Sequence, residues 1–376
     1  MLRRAHVSPP REPGAPLAAR HKRQARFGAL VASGVLVAMS AVALAGLATA
    51  GPARAATRGV EKGVSFTGYW RDSYVGGGAR ASLRALHATG ATWAMVLVTV
   101  YQNDINATTI SRTEPNTPTD ASLRGIIAYA HRLGLKVMLK PQLDLLNDPS
   151  HWRGEIGPSF SDADWATWFA AYDEQITHYA TLAAGAKCEQ FSVGCELDST
   201  VGHEAAWRLV IADVRAVYQG RLTYADDQIA SNPRAVTWWD AVDLIGQDAY
   251  PTLSLRLHPT VAQLWAGWSR YYRPLLRLHR RYGKPVIFSE IGIRSIVGAA
   301  RAPWDWQVSG KIDLVGQSRW YRAALKTFAA RDWMKGLFLW QWYTDPTVGG
   351  HKDDSYTPHG KPAEVVLRRW FRHVLR

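Results

Sequence analysis

Eight apolar runs recur along the chain from residue 63 onward, and segments of helical period separate most of them. The runs lie at Gly63–Gly68, Thr92–Val100, Leu135–Lys140, Gln190–Cys195, Leu222–Ala225, Val242–Asp248, Pro285–Ser289 and Gly336–Gln341. Between the third and fourth, Trp165, Trp168, Phe169, Tyr172, Ile176 and Tyr179 fall on one helical face, which predicts a helix over 164–184. Before the third, Thr117-Pro118-Thr119-Asp120 reads as a capped start with Pro at the first helical position. Leu123, Ile126, Ile127 and Ala130 form that helix's apolar stripe, and Gly134 ends it. Eight strands alternating with helices predict an α/β chain, a single-domain (β/α)8 TIM barrel over residues 60–376. A doubly wound sheet is the alternative. It usually carries G-x-G-x-x-G after its first strand, a spacing that Gly76-Gly77-Gly78 lacks.

The chain has a net charge of +14, which raises the question of nucleic acid. Half of the excess sits in residues 1–55, where eight basic residues face the single Glu12. Phe27 to Ala50 then runs without a charge, and Ala53-Arg54-Ala55 is a small-x-small cleavage pattern. Residues 1–55 therefore read as an export signal peptide or an uncleaved N-terminal membrane anchor. Either places the rest outside the cytoplasm. The other basic clusters, Arg273–Lys284 and Lys361–Arg376, read as solvated helix faces rather than a nucleic-acid surface. Two Cys exclude a disulfide-stapled scaffold or a zinc ribbon. Cys188 and Cys195 lie seven apart, roughly 23 Å along an extended strand, whereas a disulfide needs Cα atoms within about 7 Å. Buried thiols are expected.

In a barrel the chemistry sits where strands end. The fourth run ends in Gly194-Cys195-Glu196 and the seventh in Ser289-Glu290-Ile291. A carboxylate set among apolar residues is costly to bury without a task. Either Glu alone would also suit an ion pair with an arginine such as Arg294. Two that converge over a barrel mouth are the equipment of glycoside hydrolysis. The other strand ends supply Tyr69 and Trp70, Tyr101 and Gln102, Asp144, Asp226, Asp248 and Tyr250, and Trp340 and Trp342. Aromatic faces stack on sugar rings and polar side chains bind hydroxyls, so this set favours a saccharide cleft. There is no G-x-S-x-G elbow, no H-E-x-x-H, no zinc spacing and no phosphate loop.

Several stretches resemble glycoside hydrolase family 113. They are Lys62–Tyr69, Leu139-Lys140-Pro141, Trp152-Arg153-Gly154, Val193–Leu197, Leu222–Ala225, Ile245–Tyr250 and Phe288–Ser295, in family order. The resemblance implies a retaining β-mannanase on a (β/α)8 barrel, with Glu196 as acid/base and Glu290 as nucleophile. It implies a polysaccharide substrate and no metal or organic cofactor. We expect Tyr250 to hydrogen-bond Glu290, Arg294 to do likewise or brace its loop, and Trp340 to floor the sugar that is cleaved. Trp152 and Arg153 are expected on a loop bordering the cleft. Much of the wider clan has Asn where this chain has Cys195, which puts the 2-hydroxyl contact in question. A monomer is expected, with no nucleic-acid partner and with membrane attachment only through a retained N-terminal segment. Two rivals remain: a non-catalytic saccharide-binding barrel, and a surface interaction protein using Arg368–Arg376.

Overall fold

The computed structural model describes residues 59–229, 231–232 and 234–372. The segment read as a signal peptide or anchor lies outside the described residues. Eight parallel strands close into a barrel in sequence order: β1 (Glu61–Thr67), β2 (Trp93–Gln102), β3 (Lys136–Leu145), β4 (Gln190–Cys195), β5 (Arg221–Asp226), β6 (Leu244–Ala249), β7 (Val286–Ile291) and β8 (Met334–Tyr343). Pairing of β1 with β8 closes it, so no sheet edge is left open. Seven α-helices surround it among the described residues: α1 (Gly76–Ala88), α2 (Asp120–Arg132), α3 (Asp162–Gly185), α4 (Glu204–Val217), α5 (Val261–Tyr282), α6 (Leu314–Phe328) and α7 (Pro362–Arg372). Between β5 and β6 the described residues hold only a 3-10 turn at Trp239–Ala241. There Trp238 stacks on Trp207 of α4 at 4.9 Å and meets Tyr224 of β5 edge-on at 5.1 Å. Aromatic area covers β5 where a helix would otherwise lie.

The strands follow the period of two that barrels impose. On β2, Trp93, Met95 and Leu97 point inward and pack with Met138, Leu244, Ile287, Phe338 and Trp340. Ala94, Val96, Val98 and Val100 point outward into the core shared with the helices. β3 continues five residues beyond the expected Lys140, through Pro141. It pairs with β4 only at Met138 and Leu139, so the ladder is already open on one side where the proline lacks its N–H. Thr119, rather than Thr117, caps α2, its Oγ1 accepting from Ser122 N, and Pro118 lies before the helix. α3 starts at Asp162, two residues before the expected position, in a reciprocal box between Ser161 and Asp164. Cys188 and Cys195 are both buried and free.

Arg273, Arg277, Arg280 and Arg281 are exposed on α5, as a solvated face requires. On α7, Arg368 and Arg372 both donate to the carbonyl of Ala88 at the end of α1, so these charges brace two helices together. No helix among the described residues is long and apolar enough to cross a membrane.

Candidate active site

Three extra residues in the strand ladders decide which side chains reach the barrel mouth. Against β5, β4 advances three residues while its partner advances two between Ser192 and Cys195. Between Phe288 and Ile291, β7 does the same against β8. Each is a bulge, which breaks the alternation and re-aims the side chains beyond it. Cys195 thereby reaches Asp248, its Sγ donating to Oδ2 at 3.4 Å. On β7 both Ser289 and Glu290 turn to the same side: Ser289 donates to Asp248 Oδ1 at 2.7 Å, and Glu290 meets Lys140. Gly292 comes next because a Cβ there would lie 2.4 Å from the carbonyl oxygen of Trp340.

Lys140 stands on the inward face of β3, two residues beyond the inward Met138. Its ammonium is wholly buried and donates to Glu290 Oε1 at 2.6 Å and Asp248 Oδ2 at 2.8 Å. Tyr250 donates to Glu290 Oε2 at 2.8 Å. Both oxygens of Glu290 are therefore held. Burial and the neighbouring Asp248 carboxylate push the Glu290 carboxyl up to about 8, against the pull of Lys140. Burial drags the Lys140 ammonium down, but Asp248 and Glu290 outweigh it and hold it well above the ordinary lysine value. Cys195, Asp248 and Glu290 offer ligand atoms within 4.8 Å of one another, yet the Lys140 ammonium already supplies the positive charge there.

Glu196 lies just past β4 in the left-handed region at φ 53°, uncommon for a residue with a side chain and frequent at functional sites. Its backbone N–H is tied to Ala225 O. Arg153, on a one-turn 3-10 helix after β3, donates from Nη1 to Glu196 Oε2 at 2.9 Å, from Nη2 to Asp144 Oδ2 at 3.1 Å and from Nε to Leu143 O at 2.8 Å. Gly154 beside it has no room for a Cβ, which would fall 2.3 Å from the Trp152 ring. Asp144 is buried and also accepts from Leu145 N, and burial lifts its carboxyl despite Arg153. Tyr101 lies against this pair, its phenol pushed up by burial and by Asp144.

The other predicted residues divide between the mouth and the wall. Tyr69 donates to Gln341 Oε1 at 2.8 Å and packs, like Tyr250, against the inward cluster that holds Trp340. Trp306 and Tyr356, which come from loops rather than strand ends, join the same aromatic group. Gln102 points outward, accepting from Trp168 Nε1 of α3 at 2.8 Å. Trp342 also faces outward, donating to Ser82 Oγ of α1 at 3.0 Å. The reason is a third bulge: Val64 pairs Leu339 but Phe66 pairs Trp342, so β8 gains a residue and its alternation inverts after Trp340. Arg294 points to the β8 loop, pairing Asp354 at 2.6 Å and donating to the Trp306 and Val308 carbonyls; Glu290 has Lys140 as its cation. Asp226 is buried beside Asp198 and Asp227, with one oxygen of each within 4.8 Å of the others. Burial, and then crowding with Asp227, lift Asp198 and Asp226 well above the usual carboxylate range. Lys140 and Ser289 are site residues that the strand-end pattern misses. Lys140 does leave a signal, a lysine in an apolar run with the parity of the inward positions.

A closed parallel barrel whose C-terminal mouth gathers the buried Glu290 and the half-buried Glu196 among aromatic rings is the architecture of a glycoside hydrolase. The sequence profile of Glycoside Hydrolase Family 113 matches residues 64–361. A solved GH113 β-1,4-mannanase is 30% identical, covers 83% of this chain and 99% of its own, and superposes with a TM-score of 0.75. The GH113 β-mannanase from Alicyclobacillus acidocaldarius in complex with ManMIm is 33% identical over 84% of this chain and 97% of its own, with a TM-score of 0.72. A β-glucuronidase from Ruminococcus gnavus, at 13% identity and a TM-score of 0.58 over 83% of this chain and 50% of its own, shares the fold alone. No curated protein sequence matches the chain. The chain belongs to glycoside hydrolase family 113.

Proposed function

We propose that this glycoside hydrolase cleaves β-1,4-linked mannan with retention of the anomeric configuration. The observation that carries the reading is Glu290, clamped through both oxygens by the Lys140 ammonium and the Tyr250 hydroxyl. Those donors fix both carboxylate oxygens and oppose the rise that burial and Asp248 impose on the group, so that a fraction of it is ionised and able to attack. Glu290 attacks the anomeric carbon while Glu196 gives its proton to the departing glycosidic oxygen. Glu196 then takes a proton from the water that attacks the same carbon, and Glu290 leaves. Trp340, Tyr69 and Tyr250 give the reacting sugar an aromatic floor, and no cofactor takes part. Cys195 serves Asp248 rather than the sugar, so another group meets the axial 2-hydroxyl of a mannoside. The two solved mannanases at 30% and 33% identity support mannan as the polymer.

The catalytic domain of this reading is residues 60–376, acting as a monomer outside the cytoplasm, exported or anchored by residues 1–55. The test uses residues 57–376 with Glu196→Gln and Glu290→Gln beside the wild type. Each is incubated with β-mannan, glucomannan, xylan and β-glucan, reducing ends are counted, and the first-formed anomer is read by NMR. Reducing ends from mannan with wild type alone, first in the β form, are expected. Binding without release by all three folded proteins would leave a saccharide-binding barrel in its place.

A further inference from the structure

Arg153 poses a problem for the acid/base reading. A guanidinium 2.9 Å from a carboxylate stabilises its ionised form, yet Glu196 must begin the cycle protonated. The structure places an answer on the same arginine: Asp144 takes Nη2 at 3.1 Å, and its other oxygen is held by its own chain at Leu145 N. We infer that Asp144 is a positioning residue for the acid/base, holding Arg153 in place and opposing its charge so that Glu196 keeps its proton until the glycosidic bond breaks. The inference rests on Glu196 being the acid/base of the proposed reaction.

The protons balance over the two half-reactions. In the first, the Glu196 proton moves to the leaving oxygen as the Glu290–carbon bond forms. The new Glu196 anion then lies against Arg153, which stabilises it through the covalent intermediate. In the second, a water proton returns to Glu196 as the carbon–Glu290 bond breaks. Arg153 alone would strip the acid early. With Asp144 bound, the arginine supports the anion only once the proton has been spent.

Other groups facing Glu196 act in the same direction as Asp144 or further away. Asp198 on its own loop, Asp226 on β5 and Glu290 on β7 are carboxylates whose field reaches it, and Cys195 precedes it. Tyr101 on β2 flanks Asp144 and Arg153. Asp248 on β6 faces Lys140, and Tyr250 just past the strand faces Glu290. Among the charged groups in hydrogen-bond contact in this set, Arg153 is the cation on Glu196, and Asp144 is the anion on that cation.

The test measures kcat/KM against pH on a manno-oligosaccharide and on a dinitrophenyl β-mannooligoside, whose leaving group departs without a proton. The basic limb seen with the first substrate and absent with the second belongs to Glu196. Asp144→Asn should move that limb down by about one unit, since opposite charges within hydrogen-bond reach shift a carboxyl by about one to three. Arg153→Met should move it up, and the double variant should return towards the wild type. A structural role for either residue would lower rates without this opposition of sign. An unmoved limb in Asp144→Asn, or both variants shifting it the same way, overturns the inference. Should Asp144→Asn fail to fold by circular dichroism, Asp144→Ser takes its place: a downward limb supports the inference, and an unmoved or upward one sinks it. A wild type without hydrolytic activity, or Glu196→Gln keeping the limb, would instead bring down the acid/base reading and the inference with it.

Discussion

A lysine with no access to solvent, two carboxylates on its ammonium and a tyrosine beyond them form the electrostatic centre of this site. One positive charge faces two negative ones, so the pair cannot be fully ionised at low cost. Replacing Lys140 by Met leaves Asp248 and Glu290 facing each other without a cation. We expect kcat/KM to fall by at least about a hundredfold, with the acid limb of its pH profile moving up by a unit or more. An unchanged limb would mean that Lys140 only packs. Glu290 itself gives a stability prediction whose sign is the reverse of the usual one for a carboxylate. Its folded value, about 8, lies above its ordinary 4.5, so the folded protein holds a proton that the unfolded chain releases. That contribution is complete below about pH 4.5 and is lost as pH rises towards 8. Glu290→Gln cannot lose it. The melting temperature of the variant relative to the wild type should therefore rise between pH 5 and pH 8, equivalent to about 3–4 kcal/mol, while activity disappears. A difference that is flat across that range would show that Glu290 is ionised throughout.

Most of the elements were legible because the barrel repeats one signal eight times. Each apolar run of the sequence meets an observed strand, and the capped starts of α2 and α3 fall within two residues of their expected places. The carboxylates Glu196 and Glu290 were legible for the same reason, since each stands directly after an apolar run. The bulges were beyond the reach of that pattern. Strict alternation puts Trp340 and Trp342 on one face, and the extra residue in β8 separates them, one at the mouth and the other against α1. Nothing local in Trp340-Gln341-Trp342 announces this, because it comes from closure against β1. Gln102 is different: the period of two already assigns it to the outside of β2, opposite Tyr101. The separation of the tryptophans is testable. Trp342→Phe loses the Ser82 hydrogen bond and should cost about 1–2 kcal/mol of stability with KM unmoved. Trp340→Ala should raise KM for mannan by tenfold or more, and its loss from the inward cluster should cost stability as well. Equal effects of the two on KM would contradict the assignment of faces.

Across the whole molecule the two ends of the barrel carry opposite obligations. At the C-terminal end charge is placed against its own comfort: Glu290, Asp144 and Asp226 are all buried and all pushed up. At the other end lies a further buried carboxyl, Glu61 of β1, also lifted by burial and held by an ion pair and an amide. Arg221 of β5 reaches its Oε1 at 2.6 Å, Gln190 of β4 donates to its Oε2 at 2.6 Å, and the Arg221 guanidinium lies over the Trp93 ring at 5.4 Å. No substrate approaches this end in the proposed reaction, so the cluster owes nothing to catalysis. Substituting Arg221 by Met leaves Glu61 buried without its cation. Breaking a fully buried pair costs about 3–5 kcal/mol, and Arg221 is about one-third exposed, so about 2 kcal/mol is expected. The melting temperature should drop while kcat and KM of the folded fraction stay at wild-type values. Glu290→Gln should do the reverse, gaining stability at pH 8 and losing turnover. The pair of variants therefore tests whether stability and catalysis are segregated along the barrel axis. A fall in kcat with Arg221→Met, measured below its melting transition, would show that the floor is coupled to the mouth through the inward layer of Trp93, Phe338 and Trp340 that stands between them.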